Sequence, residues 1–255
     1  MQPYRINLNV AGMDMRSLFI WCNYMETVKL NETLSSDINR CIRILSEKFR
    51  KWPYNFFTES DAHSYLYLSF FRYGTPALKS LYQSKDHRRS VLIHREYPTF
   101  FRYSQKELKL CRLDESKGTC GHYDMVVLNP DFINNHEIQQ VISKDNTIRQ
   151  TVNFNDNHLL AAIEFKLLHK PLTGDLRDEI KKDFIKLGWA LETKQAREAY
   201  MLIFNRYGEE RNYWQTLEEL QREHQGIKLV YQESYYNGDK HKTFIKSYLK
   251  QKPTS

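Results

Sequence analysis

The chain of 255 residues is long enough for a sizeable core, and fits one medium domain or one domain with an extension. Its 41% hydrophobic and 27% charged residues exclude a disordered polyampholyte. A formal net charge of +7 favours polyanionic partners as a field effect, although a soluble basic protein with no nucleic-acid role carries the same surplus. In chain order, residues 4–10, YRINLNV, have the composition of a short strand. Residues 36–52 set Ile38, Cys41, Ile42, Leu45 and Phe49 at helical spacing, and Pro53 ends that helix. TESDAHSYLYLSFFRYG predicts a second helix, capped by Thr58 or Ser60 and stopped by Gly74 and Pro76.

The pattern then changes. SVLIHREYPTF (90–100) and KELKLCRL predict strands, and HYDMVVL (122–128) predicts another, bounded by Gly121 and Asn129-Pro130. Residues 131–157 are polar and read as an excursion. LLAAIEFKLL is the next strand. After Pro171 a helix carries Leu176, Ile180, Phe184, Leu187 and Leu191 on one face. AYMLIFN (199–205) is a buried strand, NYWQTLEELQREH a helix with Asn212 as its cap, IKLVYQE a last strand, and KTFIKSYLK a short basic helix. A hairpin-rich first half and strand–helix–strand ending predict a mixed central β-sheet flanked by helices, an α/β fold.

The cysteines Cys22, Cys41, Cys111 and Cys120 show no CxxC spacing, which argues against structural zinc and fits a reducing, cytoplasmic setting. No basic-then-apolar leader opens the chain and no run approaches the length of a membrane span, so neither export nor a membrane partner is expected.

Five Glu-x-Lys triplets occur, at Glu107, Glu115, Glu164, Glu179 and Glu192. Glu164 stands apart because it lies in a strongly apolar strand, preceded by a strand with its own lone acid, Asp124. Strand alternation puts Glu164 and Lys166 on one face and Ile163, Phe165 and Leu167 on the other. Mg²⁺ takes oxygen ligands, keeps several waters and binds one or two carboxylates plus substrate phosphate. Asp124, Glu164 and the Phe165 carbonyl could supply such oxygens. Lys166 could orient a water or stabilise developing negative charge. A buried Glu164–Lys166 ion pair is the competing explanation of the same residues.

With Asp on one strand and Glu-x-Lys on the next, GHYDMVVLNP and AAIEFKLL resemble the PD-(D/E)XK, or restriction-endonuclease-like, nuclease superfamily over roughly residues 56–232. The Pro that often precedes the Asp is replaced by Tyr123. The resemblance implies a restriction-endonuclease-like core and metal-dependent hydrolysis of phosphodiester bonds, with Mg²⁺ as cofactor and Mn²⁺ as a substitute. It implies Asp124, Glu164 and Lys166 as catalytic residues, and Asp124, Glu164 and Phe165 at the metal. Glu59 on the first core helix matches a further metal-facing Glu of many members, although a carboxylate in a first helical turn also suits the helix dipole. The partner implied is nucleic acid, DNA foremost, with a homodimer left open. A catalytically inactive nuclease-like binding module is the alternative. Residues 1–55 then form a mainly helical N-terminal extension, 56–235 the nuclease-like domain and 236–255 a basic tail.

Around this core, Glu96 is either a fourth acid or a solvated residue, His122 shares the Asp124 face, and Asp183 is expected in solvent. Arg88, Arg89, Arg95 and Arg102, with Lys181, Lys182 and Lys186, are candidates for phosphate binding or for a solvated face. The Tyr and Phe residues near the first strand are candidates for stacking on bases, or for the core.

Overall fold

A computed structural model describes residues 15–104, 109–111, 118–143, 148, 152, 157–171, 173–208, 210–237 and 240–247. The strand expected at 4–10 lies outside them. The helices are α1 (Met15–Lys51), α2 (Glu59–Tyr73), α3 (Pro76–Lys79), α4 (Pro130–Asn135), α5 (Ile138–Ile142), α6 (Gly174–Glu192) and α7 (Glu210–Glu223). The strands are β1 (Tyr82–Gln83), β2 (Arg89–Ser90), β3 (Ile93–Ser104), β4 (Lys109–Cys111), β5 (Thr119–Leu128), β6 (Leu159–Leu168), β7 (Ala196–Asn205), β8 (Ile227–Asn237) and β9 (Lys240–Ser247).

Among the described residues β1 and β2 pair as a small ribbon, and the main sheet has the order β4-β3-β5-β6-β7-β8-β9. Pairing is antiparallel from β4 to β6, parallel for β6–β7 and β7–β8, and antiparallel again for β8–β9. The sheet is thus mixed, with helices on both faces. Parallel neighbours need a long crossover, and α6 and α7 supply the two. No described helix is long and apolar enough to cross a membrane.

β6 runs through the middle and is buried along nearly its whole length, as its apolar run requires. On one face Phe165 packs against the His63 ring of α2 at 4.5 Å, and Phe204 of β7 meets Phe49 of α1 at 4.9 Å. The opposite face of β6, carrying Glu164 and Lys166, is covered by α6. Leu34, Ile38, Cys41, Ile42, Leu45 and Phe49 of α1 belong to the same core as the strands.

The sequence reading needs three corrections. KTFIKSYLK is not a helix through its described part: Thr243, Phe244 and Ile245 pair with the exposed edge of β8, and Phe244 meets the Tyr231 ring. Asn212 does not cap α7, which begins at Glu210. The N-terminal helix begins at Met15, far ahead of the apolar periodicity at 36–52.

One charged cluster on the buried strands is structural. Glu198 of β7 accepts hydrogen bonds from Ser35 of α1 at 2.7 Å and from the Tyr200 hydroxyl, and lies 3.0 Å from the Lys228 ammonium. Burial works against its ionisation, yet these partners outweigh burial and hold its carboxyl below the usual range.

Candidate active site

β5 and β6 pair from Leu128↔Leu159 to Met125↔Ile163, where the ladder ends. β5 continues along β3 through Tyr97↔Tyr123, while β6 continues along β7 as far as Leu168↔Asn205. The sheet therefore opens into a fork. Asp124 and Glu164 are the first residues past the last pair, one on each prong. Extending the register by one residue sets them opposite each other and on the same face.

In the fork the β6 backbone loses its β5 partner, and two carboxylates replace it. The Phe165 N–H donates to Asp124 Oδ2 at 2.8 Å, and the Leu167 N–H donates to Glu59 Oε1 at 3.3 Å. Unpaired buried backbone donors are costly, so both acceptors are held firmly. A strand residue directs its N–H and C=O to the same side, so the Phe165 carbonyl also faces the fork. Glu59 reaches it because α2 starts there. Asp61 Oδ2 accepts the Thr58 N–H at 2.7 Å and the Phe57 N–H at 2.8 Å, which fixes the start of the helix one residue before Glu59.

Glu164 and Lys166 do not pair with each other. Lys186 of α6 lies with its Nζ 2.7 Å from Glu164 Oε1, and Asp183 takes Lys166 at 3.0 Å and Lys186 at 3.1 Å. Lys186 also donates to the His122 carbonyl at 2.9 Å. This corrects two expectations: Asp183 is not a solvated residue, and Lys186 is buried rather than part of a surface stripe with the exposed Lys181 and Lys182. One helical turn of α6, three residues apart, turns an acid and a base onto the charged face of β6.

Four carboxylates, on Glu59, Asp124, Glu164 and Asp183, thus share two ammonium groups. Burial drives the Glu164 carboxyl well above its usual range; Lys186 opposes this, and Asp183 and Asp124 reinforce it. Burial likewise raises Glu59, more than Lys166 and the Leu167 N–H can offset. For Lys166 and Lys186 burial disfavours the charge, but the surrounding carboxylates prevail and raise both. The contrast with Glu198 is direct. At that acid the neighbours outweigh burial, whereas at Glu164 and Glu59 burial outweighs the cations beside them.

His63 was not legible as a site residue. It lies one turn beyond Glu59 on the buried side of α2, with Nε2 3.7 Å from Asp124 Oδ2. Burial lowers its pKa against the pull of Asp124. Arg95 approaches Nδ1 at 3.4 Å, which leaves the proton of the neutral ring on Nε2, toward Asp124. The Glu59–His63 spacing of four residues was the available signal. Glu96 is exposed and, at φ 49°, adopts a left-handed conformation costly for a non-glycine residue; by register it lies opposite Asp124. Arg102 is committed to the Gly118 carbonyl at 2.7 Å and is not a free phosphate ligand. Tyr97, Phe100 and Phe101 of β3 are buried, so they belong to the core rather than to a stacking surface.

Among the described residues no three His, Cys, Asp or Glu side chains converge into a ready metal cage. Mg²⁺ does not require one, since it binds through one or two carboxylates and completes its shell with water and phosphate. The donors here are oxygens in excess of their cations, which fits a hard divalent ion. Asp124, with 21% of its side chain exposed, is reachable from solvent. No family model matches the chain, and neither a curated protein nor a solved structure matches it.

Glu59 gives a pH-dependent expectation. It is harder to ionise in the folded chain than in the unfolded chain, so at high pH its charge subtracts from stability. As pH falls through the raised folded value the carboxyl takes a proton and the cost disappears. Glu59→Gln keeps an acceptor for the Leu167 N–H without the charge. It is expected to melt above the wild type at about pH 8 and to lose that advantage at about pH 4. Melting curves at both pH values check this; a lower melting temperature at high pH would mean that attraction to Lys166 outweighs burial.

Proposed function

We propose that the chain is a metal-dependent nuclease that hydrolyses phosphodiester bonds, in DNA foremost, on a restriction-endonuclease-like core. The observation that carries this reading is the fork, where the carboxylates of Asp124, Glu164 and Glu59 meet with the Lys166 ammonium and outnumber the cations beside them. The order α2, antiparallel β3–β5–β6, α6 and parallel β7 supports the same core. Asp124 and Glu164 would hold Mg²⁺, with the Phe165 carbonyl and Glu59 beside them. When bound, such an ion polarises a phosphoryl oxygen and lowers the pKa of a bound water.

The remaining work falls to this chain's own groups. Asp124 is positioned by the Phe165 N–H and flanked by the neutral His63. Lys166, kept protonated by Asp183, Glu59 and Asp124, places a positive charge in the fork where negative charge builds on phosphate oxygens. Lys186 pairs with Glu164 from the α6 side and offsets part of the repulsion from Asp183.

A binding-only module is the second reading, favoured by the pairing of Glu164 with Lys186 and of Lys166 with Asp183. Incubation of the protein with circular, linear, single-stranded DNA and RNA substrates in Mg²⁺, Mn²⁺ or EDTA separates the two. The nuclease reading expects cleavage in Mg²⁺ or Mn²⁺ and none in EDTA. Retention of DNA without cleavage under any of these conditions would favour the binding module.

A further inference from the structure

Among the described residues, four of the six exposed aromatic rings, Tyr54, Phe57, Tyr207 and Tyr236, meet in one place. A surface cavity of about 590 Å³ is lined by Tyr54, Phe57, His169, Arg206, Tyr207 and the adjacent Tyr235 and Tyr236. Phe57 is 76% exposed, Tyr54 56% and Tyr236 47%, which is unusual for such large rings in one cluster. Topology explains their meeting. His169 follows the end of β6, Arg206 and Tyr207 follow the end of β7, and β8 overhangs β7 with Tyr235 and Tyr236. The cavity is the crevice at the carboxyl ends of three parallel strands, the usual place for a ligand in an open α/β sheet.

The rings are held rather than loose. Tyr54 stacks on Tyr236 at 5.8 Å, and Tyr236 stacks on His241 at 4.7 Å. Arg206 lies over Phe57 at 5.7 Å and spends one donor on the Phe56 carbonyl at 2.8 Å, out of the five its guanidinium carries. Lys170, Lys240 and Lys242 are exposed on the same strand ends. Flat rings and a guanidinium, with lysines nearby and no carboxylate among the described residues of the lining, suit an anionic, aromatic ligand. The cavity also adjoins the fork. Phe57 precedes Glu59 by two residues, and His169 follows Lys166 by three, about 10 Å along a strand.

We propose that this cavity binds unpaired bases of a single-stranded nucleic acid, stacked on Phe57 and the Tyr54–Tyr236 pair, with the phosphates met by Arg206 and the neighbouring lysines. The inference deepens the nuclease reading and rests on it for the identity of the polyanion: the strand threaded through the fork would leave it single-stranded. Paired bases offer no free ring face, so the cavity selects single strands over duplex, whereas charge alone favours the duplex.

The test is fluorescence anisotropy in EDTA, with a labelled single strand of about twelve nucleotides, within the range of one stacking platform, and a duplex of the same length. The wild type is expected to prefer the single strand. Phe57→Ala and Tyr236→Ala are each expected to weaken single-strand binding roughly tenfold while leaving duplex binding unchanged. Phe57 is too exposed for its loss to unfold the chain, so it remains decisive should Tyr236→Ala loosen the β8–β9 hairpin. Unchanged single-strand affinity in folded Phe57→Ala, or no binding of single strands by the wild type, overturns the inference and leaves the cavity as a protein-docking surface. Because no metal is present, failure of cleavage does not touch this result: weakened single-strand binding without any cleavage would sustain the cavity and remove the nuclease reading, and cleavage with unaffected binding would do the reverse.

Discussion

Lys186→Met is expected to destabilise the fold by roughly 3–5 kcal/mol at neutral pH, the cost of leaving a buried charge without its partner. Glu164 is nearly inaccessible, and Lys186 at 2.7 Å is its closest cation. Without that ammonium, Asp183 and Asp124 would both repel it. The loss should shrink as pH falls. Glu164 is raised in the folded state, so it takes up a proton there before it does in the unfolded chain, and the buried charge disappears. Adding Glu164→Gln to Lys186→Met should recover much of the stability. Urea midpoints for the single and double variants give the answer. A single variant as stable as the wild type would show that Glu164 is not ionised beside Lys186 at all.

Lys166→Ala is expected to behave in the opposite way, losing chemistry more than stability. Its side chain is 15% exposed, and its partner Asp183 keeps Lys186 at 3.1 Å when Lys166 is gone. The lost group is one cation of many for holding a polyanion, so DNA affinity should change little. In the proposed reaction it stabilises charge that exists only in the transition state, and removal of one such group costs roughly 10²–10³ in rate. Melting temperature, DNA affinity and Mg²⁺-dependent cleavage measured on one preparation separate the roles. A large fall in melting temperature with no specific loss of rate would make Lys166 a structural partner of Asp183.

The sequence made one half of this site legible and hid the other. Alternation in β6 announces that Glu164 and Lys166 share a face, and the isolated Asp124 in an apolar strand marks its neighbour. What completes the cluster comes from α6. Asp183 and Lys186 lie in a stripe of charged residues, and a charged stripe normally faces water. Only tertiary packing shows that this stripe covers a strand face that is itself charged. The fork was invisible for a related reason: apolar runs predict strands, but not where two strands part and leave backbone donors to be met by carboxylates.

Element limits failed where local pattern was weak. In α1 Tyr24 and Met25 are exposed, and a regular buried stripe runs from Asn31 and Leu34 onward. The segment of β9 can satisfy helical or strand spacing, and the free edge of β8 decides it. The aromatic cluster at the strand ends draws its members from four separate stretches of chain. No single window of sequence contains it.

The most direct test of the proposed nuclease compares wild-type protein with Asp124→Asn in one Mg²⁺-dependent DNA cleavage assay. Asparagine preserves an acceptor for the Phe165 N–H, so the fork keeps its shape, while the charge that would hold the cation is removed. The account predicts cleavage by the wild type, abolished in EDTA, and none by a folded Asp124→Asn protein at any Mg²⁺ concentration. Equal cleavage by the two proteins, or none by the wild type with any nucleic acid, would contradict it.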